Sequence, residues 1–168
     1  MSSLRNPFAP FDDALTRALQ NNVQAALTED VGSGDWTAQL IPESAQVKAR
    51  VLVRESAVLC GAPWFEAVMK QVDPRISITW HAAEGDALIS DTEVCTLSGP
   101  ARALMTAERA ALNFLQLLSG VATTTRDYVK LIQGTRASVL DTRKTLPGLR
   151  LAQKYAVDRK STRLNSSH

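Results

Sequence analysis

The chain has 168 residues, 45% of them hydrophobic and 21% charged, with a formal net charge of +2. This balance is typical of a globular protein and excludes disordered and fibrous classes, while the small net charge gives no indication of a nucleic acid or a membrane surface as partner. No stretch reaches the roughly 18 consecutive apolar residues of a membrane span, and the N-terminus lacks a secretion signal, so we expect a cytoplasmic protein. Cys60 and Cys95 lie in apolar surroundings without metal-ligand spacing, which predicts buried free thiols.

The first part of the chain is predicted to combine helices with a small sheet. Apolar residues at three- and four-residue spacing indicate helices, and alternation of apolar and polar residues indicates half-exposed strands. These patterns predict a helix over 12–28, a strand over 47–53, a helix over 61–72 with Pro63 in its first turn, and strands over 76–81 and 93–97 with a tight turn between them. The order favours an α+β layer in which helices cover one face of a mostly antiparallel sheet. We place this first domain at residues 1–115.

The second part of the chain is predicted to begin a parallel α/β unit. Pro100 precedes a helix over 101–118 that is apolar on nearly every side, which is typical of a buried helix. Ser119 and Gly120 are expected to break this helix. The elements predicted after the break are a helix over 122–133, a buried strand over 137–140 and a helix over 149–157. Helix, strand, loop and helix in this order are how a parallel α/β architecture starts.

Four polar residues directly follow the predicted strand: Asp141, Thr142, Arg143 and Lys144. Ligands of parallel α/β proteins bind at the carboxyl ends of strands, where loops and helix starts converge. Arginine offers a planar fork that matches a carboxylate or phosphate, and lysine supplies a compact, movable charge. The pair therefore predicts binding of a small molecule with several negative charges. The alternative is a basic turn that is merely solvated.

Arg109 is a second candidate because it lies in the middle of the predicted long helix among apolar residues. A buried guanidinium without a partner is strongly unfavourable, so we expect an anion to face it. That anion is either a bound substrate or an acidic side chain of the protein. Glu29 and Asp30, which precede a glycine-containing loop, are candidates for a metal site or for an ordinary polar turn.

Several stretches together resemble the quinolinate phosphoribosyltransferase family, in family order from about residue 10 to residue 157. They are EDVGSGDWT (29–37), CGAPW (60–64), EGD (84–86), TAERAALNFLQLLSGVAT (106–123), LDTRKTLPGLR (140–150) and KYAV (154–157). The resemblance implies phosphoribosyl transfer from phosphoribosyl pyrophosphate to quinolinate with decarboxylation, giving nicotinate mononucleotide, pyrophosphate and CO₂ in NAD biosynthesis. It also implies Mg²⁺ as the accompanying ion and assembly as a homodimer or a higher homo-oligomer.

The resemblance also implies roles for the basic residues. Arg109 is similar in position to the family arginine that reaches into the neighbouring subunit's site to hold a quinolinate carboxylate. Thr142, Arg143 and Lys144 are similar to the substrate-binding segment at the end of the first barrel strand. No catalytic residue and no metal ligand is assigned in this chain. Two alternatives stay open: a related phosphoribosyltransferase-like protein with another substrate, and a non-catalytic assembly module in which Arg109 and Arg143 only make ion pairs.

The expected fold is an α+β N-terminal sandwich domain followed by the start of an incomplete α/β barrel. Residues 116–157 would form the first part of the barrel; fewer than about 60 residues follow position 115, whereas a complete barrel takes about 200 or more. Residues 158–168 depart from the family pattern, which continues with a glycine-rich loop and a His-Arg pair, and we interpret them as a foreign tail. We therefore expect a fragment with little or no catalysis, whose exposed apolar surface favours self-association.

Overall fold

The computed structural model describes residues 12–32 and 34–159 of the chain. The helices are α1 (Asp13–Val31), α2 (Trp36–Gln39), α3 (Ala62–Val72), α4 (Ala101–Leu131) and α5 (Arg150–Asp158). The strands are β1 (Gln46–Leu52), β2 (Ala57–Val58), β3 (Ser77–Trp80), β4 (Ala87–Leu88) and β5 (Glu93–Pro100). Within the described ranges, no helix is both long enough and apolar enough to span a membrane.

α1 and α3 begin where the sequence offers helix-start signals. Asp12 precedes α1, and its carboxylate accepts a hydrogen bond from the N–H of Leu15 at 2.7 Å, which satisfies one of the free donors at the helix N-terminus. α3 has Pro63 in its first turn, where the missing N–H would have had no partner in the helix. The two helices and three strands predicted for the first part of the chain are confirmed, with ends shifted by at most three residues.

The three longer strands form one antiparallel sheet in the order β1-β5-β3. Val47 lies opposite Gly99 and Val51 opposite Cys95 in the β1–β5 pair, and the register shifts after Val51. In the β3–β5 pair, Trp80 lies opposite Cys95. The two-residue strands β2 and β4, which the sequence patterns did not predict, form a separate antiparallel pair. The prediction of a small antiparallel sheet is confirmed.

The core lies between one face of the sheet and the helices. Phe65 of α3 packs edge-on against Trp80 of β3 with ring centroids 5.5 Å apart, and Trp80 donates its indole N–H to Glu66 at 2.7 Å. The central strand β5 is mostly buried, whereas the edge strand β1 is almost entirely exposed. The largest fully buried side chains include Trp64, Phe65, Leu59, Met69, Leu118 and Val23. Helices on one face of a sheet are the layer arrangement expected of an α+β domain.

α4 runs without a break through Ser119 and Gly120, so the predicted helix break there was wrong. The Ser119 hydroxyl accepts a hydrogen bond from the N–H of Cys60 and donates one to the carbonyl of Cys60, both at 3.0 Å. One turn later, the Thr123 hydroxyl accepts the N–H of Val58 at 2.8 Å. The small polar residues that resemble a helix end are therefore contacts of a continuous helix, which satisfy backbone groups at and after β2.

The chain between α4 and α5 contains no strand, so the buried strand predicted over 137–140 was wrong. A strand forms only by pairing with a neighbour, and within the described residues no strand lies beside this segment. Leu140 is instead 80% exposed. The helix predicted over 149–157 is confirmed as α5, and the described part of the chain contains no closed barrel, as expected for an incomplete one. The boundary predicted between residues 115 and 116 falls inside α4.

Candidate functional site

The loop between α4 and α5 carries three of the predicted binding residues, and all three are exposed. The hydroxyl oxygen of Thr142 accepts a hydrogen bond from the N–H of Lys144 at 3.1 Å, which forms a tight turn around Arg143. Among the residues that the structure describes, neither Arg143 nor Lys144 forms an ion pair with an acidic side chain. Two neighbouring cations therefore stand uncompensated by the described part of the protein.

Helix α5 holds this loop at two points. The ammonium of Lys154 forms an ion pair with the carboxylate of Asp141 at 2.7 Å. The side-chain oxygen of Gln153 accepts the N–H of Leu146 at 2.8 Å. The two anchored residues lie on either side of the basic pair, so the pair has a defined place although its side chains are exposed.

Helix α1 supplies a third anchor through Asn22. Its side-chain amide donates a hydrogen bond to the carbonyl of Gly148 at 3.0 Å, and its side-chain oxygen accepts the indole N–H of Trp64 at 3.3 Å. Gly148 has a φ of +77°, a left-handed backbone conformation that glycine adopts without steric conflict. Asn22 of α1 thus connects the end of the loop, at Gly148, with the buried Trp64 of α3.

An open groove with a volume of about 650 Å³ lies between α4 and the loop. Gly120 lines it from α4, Thr142 and Lys144 line it from the loop, and Lys154 adds a second ammonium from α5. Arg143 lies in the same turn without lining the groove. The volume falls within the range of small-molecule sites. Lys144 brings to the groove an ammonium without an acidic partner among the described residues, whereas Lys154 is paired with Asp141, which also lines the groove.

Arg109 is exposed, which contradicts the expectation that its guanidinium is buried. The alanines around it on α4, Ala107, Ala110 and Ala111, are the buried positions, whereas the Arg109 side chain is 75% exposed. Its Nη1 donates a hydrogen bond to Oδ1 of Asp30 at 2.8 Å. An acidic side chain of the protein therefore faces this cation, and Asp30 is engaged in an ion pair.

A second aspartate links the same region of α4 to the segment before α2. Asp35 accepts hydrogen bonds from the N–H of Ala38 at 3.0 Å and from the hydroxyl of Thr106 at 2.9 Å. These two hydrogen bonds lower the pKa of the Asp35 carboxyl, and Arg109 adds a smaller attraction in the same direction. The motifs EDVGSGDWT and TAERA thus meet on one face of α4.

A single chain does not bring Arg109 and the loop into one groove. Arg109 does not line the groove, and the first α4 residue along the chain that does is Gln116. Seven residues of α-helix separate the two positions by about 10 Å along the axis. Each chain therefore presents two separate basic positions, one at Arg109 and one at the loop.

Glu84 is a buried acid that the sequence patterns did not predict. One carboxylate oxygen accepts the N–H of Gly61 at 2.7 Å and the hydroxyl of Tyr155 at 2.9 Å; the other accepts the N–H of Ala62 at 3.0 Å. Burial raises the pKa of the Glu84 carboxyl, and the hydrogen bonds to its charged form oppose this shift only in part. The short motifs CGAPW, EGD and KYAV each contribute a member of this cluster, and their common presence is the signal that was available in the sequence.

Aromatic and cationic groups surround the Tyr155 end of this cluster. The rings of Trp64 and Tyr155 pack edge to face with centroids 5.2 Å apart, and the guanidinium of Arg159 lies 4.0 Å above the Tyr155 ring. Burial raises the pKa of the Tyr155 hydroxyl far above its ordinary value. Arg159 is the second residue of the segment interpreted as a foreign tail, and it packs on α5; residues 160–168 of that segment lie outside the described residues.

The two cysteines are buried free thiols, as predicted. Burial raises the pKa of the Cys95 thiol to about 12 and that of the Cys60 thiol well above its ordinary value. The thiolate is the nucleophilic form of cysteine, so neither side chain is prepared for nucleophilic chemistry near neutral pH.

The described residues contain no cluster of the side chains that usually bind metal ions. Over residues 12–32 and 34–159, no group of three or more His, Cys, Asp or Glu side chains is placed to hold a metal ion. Mg²⁺ requires several oxygen ligands, and the aspartates nearest the basic positions are already paired, Asp30 with Arg109 and Asp141 with Lys154. No chemical step is therefore assigned to a metal held by these residues.

Both parts of the chain are similar to one family of known proteins. Residues 35–119 match the family described as Quinolinate phosphoribosyl transferase, N-terminal domain, and residues 121–160 match Quinolinate phosphoribosyl transferase, C-terminal domain. A probable nicotinate-nucleotide pyrophosphorylase (carboxylating) of Synechocystis sp. is 40% identical over 134 residues, which cover 80% of this chain and 45% of that protein. The protein of the same name from Bacillus subtilis is 37% identical over 129 residues, covering 77% of this chain and 45% of that protein.

A solved structure shows the same likeness in three dimensions. The nicotinate-nucleotide pyrophosphorylase from Francisella tularensis superposes with a TM-score of 0.82 at 42% identity, covering 86% of this chain and 52% of that chain. This chain therefore spans about half the length of the relatives that it matches. The likeness extends across both parts of the described fold.

Proposed function

The chain belongs to the quinolinate phosphoribosyltransferase family, and from this premise we propose that it carries part of the site for phosphoribosyl transfer to quinolinate, as a fragment with little or no catalysis of its own. The reaction joins quinolinate to the sugar of phosphoribosyl pyrophosphate with loss of CO₂, and gives nicotinate mononucleotide and pyrophosphate in NAD biosynthesis. The observation that carries the proposal is the exposed basic pair Arg143–Lys144, which has no acidic partner among the described residues and stands beside a groove of about 650 Å³. A cytoplasmic location is part of the same proposal.

The chemistry of the loop suits this reaction because both substrates carry several negative charges. The guanidinium fork of Arg143 matches a carboxylate in two parallel hydrogen bonds, while the ammonium of Lys144 follows a phosphate or carboxylate as a point charge. Ribosyl transfer through a cation-like sugar needs little covalent work from the protein, so positioning and electrostatic stabilisation supply most of the catalysis. Thr142 contributes by holding the turn in which both cations sit.

We propose that Arg109 holds a quinolinate carboxylate in the site of a neighbouring subunit, within a homodimer or a higher homo-oligomer. Its exposure supports this role, because a side chain that is 75% exposed in one chain is available to a second one. Within the described part of the chain, the guanidinium is bonded only through Nη1 to Asp30, so its other donors are available to a ligand. The separation of Arg109 from the loop within one chain fits a site completed by two subunits.

We keep Mg²⁺ in the proposal as the ion that accompanies phosphoribosyl pyrophosphate. The described residues form no cluster of acids for it, so its ligands in this scheme are mainly the phosphates of the substrate and water. No residue described here is assigned to the ion.

A non-catalytic assembly module remains the second candidate, and one observation favours it. The Arg109–Asp30 ion pair already neutralises the cation at 2.8 Å, which is what a purely structural arginine would show. This candidate predicts that the basic pair of the loop binds no quinolinate.

Calorimetric titration with quinolinate separates the two candidates. The proposal predicts saturable binding to the wild-type chain, and at least about tenfold weaker binding to Arg143→Ala, because a hydrogen bond to a charged group contributes about 1.5–3 kcal/mol. Arg54→Ala is the matched control, because Arg54 is also an exposed arginine, 3.8 Å from the carboxylate of Asp91, and lies outside the loop. Equal affinity in wild type and Arg143→Ala, or no binding to either, would contradict the proposal.

A further inference from the structure

Three consecutive residues of α5 connect a buried carboxylate to the basic loop. Tyr155 donates its hydroxyl hydrogen to Glu84, whereas Gln153 and Lys154 bind Leu146 and Asp141 of the loop. One short helix therefore has a buried attachment on one side and two loop attachments on the other. This arrangement couples the position of the loop to the position of α5.

The carboxylate of Glu84, which accepts the hydrogen bond from Tyr155, is held in place by the backbone of α3. Glu84 is 5% exposed, and its two carboxylate oxygens are fixed by the N–H groups of Gly61 and Ala62 at the start of α3. A carboxylate at a helix N-terminus is also favoured by the helix dipole. The acceptor offered to Tyr155 thus has a fixed place in the core and defines where α5 docks.

The hydrogen bond from Tyr155 to Glu84 is directional, so it restrains the rotation of α5 about its own axis as well as its distance from α3, in addition to the packing of α5 on α4 and α1. Side-chain ends lie about 5–6 Å from a helix axis, so a rotation of about 30° moves them by about 3 Å. Such a shift equals the whole length of the Lys154–Asp141 and Gln153–Leu146 bonds, 2.7 and 2.8 Å. A ring without the hydroxyl keeps the apolar contact with Trp64 and loses the directional bond that restrains this rotation.

We propose that Glu84 and Tyr155 are positioning residues: their hydrogen bond orients α5, and α5 in turn places the loop that carries Arg143 and Lys144. That the placed loop binds substrate rests on the proposed function; the mechanical coupling does not. An apolar pair of similar size would lack this direction and would also leave the N–H groups of Gly61 and Ala62 without their acceptor.

Hydrogen exchange measured amide by amide tests the coupling on the full chain. In Tyr155→Phe, the Leu146 N–H, which is held by Gln153, is expected to exchange at least tenfold faster than in wild type. The N–H of Lys144, which lies in the same loop, is expected to follow. Amides of the β1–β5 pair, remote from α5, are expected to keep their rates. Glu84→Gln keeps an oxygen that accepts from Tyr155 and turns an NH₂ group toward the N–H of Ala62, so it is expected to leave loop exchange closer to the wild-type rate than Tyr155→Phe does.

Trp80→Phe is the matched control, because it also removes a hydrogen bond from an aromatic side chain to a glutamate, the 2.7 Å bond to Glu66, at a position that does not line the groove. It is expected to leave loop exchange at the wild-type rate. Unchanged loop exchange in Tyr155→Phe would overturn the proposal. So would a uniform rise in all segments, or loss of folding in both Tyr155→Phe and Glu84→Gln, because these outcomes show a role in general stability only.

Quinolinate titration of the same variants distinguishes this proposal from the proposed function. If wild type binds quinolinate, Tyr155→Phe is expected to weaken binding about tenfold, and equal affinity would overturn the positioning of the site. If wild type does not bind quinolinate, the proposed function fails, while the exchange pattern still decides whether Glu84 and Tyr155 place the loop.

Discussion

Arg109 of α4 and Asp30 of α1 form an ion pair of 2.8 Å that joins two helices far apart in the sequence. Three residues earlier on α4, Thr106 donates its hydroxyl hydrogen to Asp35 at 2.9 Å. Residues three apart on a helix share a face, so two aspartates approach the same face of α4. The position of the Arg109 guanidinium is thereby restrained by contacts within one chain.

Asp30→Asn removes the charge that holds Arg109 and preserves the shape of the side chain. We expect the free energy of unfolding to change by less than about 1 kcal/mol, because the arginine is largely exposed and exposed ion pairs contribute little. If Arg109 binds quinolinate in the assembled protein, we expect affinity to fall several-fold, since the guanidinium loses its orientation. Urea denaturation and calorimetric titration measure the two effects. Asp91→Asn, in the exposed pair with Arg54, is expected to change neither.

The buried Glu84 predicts a pH dependence of stability. Burial raises the pKa of its carboxyl above the ordinary value of 4.5, so the folded state binds this proton more tightly than the unfolded state does. The resulting stabilisation is complete below pH 4.5 and is lost as the pH rises through the folded-state pKa. We therefore expect the free energy of unfolding of wild type, relative to Glu84→Gln, to fall as the pH is raised from 4.5 to 8.

Urea denaturation of both proteins across this pH range tests the expectation. The neighbours of Glu84 do not share the titration, because burial raises the pKa of Tyr155 and Cys60 well above this range, and Arg159 stays protonated in it. A difference that is constant with pH, or one that grows as the pH rises, would contradict a raised pKa for Glu84.

Gly61 is expected to tolerate no side chain, whereas Gly148 is expected to tolerate a methyl group at moderate cost. Both have positive φ, +104° and +77°. A Cβ at Gly61 would also lie 3.1 Å from the carbonyl oxygen of Phe114 and 3.2 Å from Leu118, while none of the described atoms lies within 4 Å of a Cβ at Gly148. We expect Gly148→Ala to destabilise by about 1 kcal/mol and Gly61→Ala by about 2 kcal/mol or more, measured by urea denaturation. Equal destabilisation by the two substitutions would show that the positive φ, and not the close contact at Gly61, determines the cost.

Gly120→Ala is expected to stabilise the protein by about 0.5–1 kcal/mol, because glycine weakens a helix interior and the position is exposed with free space around it. Ser119→Ala is expected to act in the opposite direction, since it leaves the N–H and carbonyl of Cys60 without their partner. Thermal unfolding measures both effects: we expect a higher melting temperature for Gly120→Ala and a lower one for Ser119→Ala. If Gly120→Ala destabilises the protein, α4 is not a continuous helix at this position in solution.

The elements that local patterns specify were predicted well. The periodicity of residues 61–72, with Pro63 in the first turn, matches α3 almost residue for residue, and the alternation over 47–53 matches β1. Both patterns arise from one face of the element meeting the core, which the sequence records directly. The same is true of α5, whose helix was predicted over 149–157.

The errors have a different cause, because they concern contacts between distant segments. Ser119 and Gly120 read as a helix end, yet the serine bonds to Cys60, 59 residues away. Arg109 was expected to be buried because its sequence neighbours are apolar, but the buried alanines follow the helical period and leave position 109 on the outer face. Glu84 was missed because its environment is assembled from three segments, none of which shows on its own that an acid is buried there.

α4 is a single rod of 31 residues, about 46 Å long, and the two family matches meet at residues 119 and 121 near its middle. The junction between the two family matches therefore lies inside a continuous helix and is not a loop. Cleaving the chain there would leave a part of α4 on each piece. It would also expose the side chains of Leu118 and Ala122, which are both fully buried. We therefore expect that neither piece folds stably on its own.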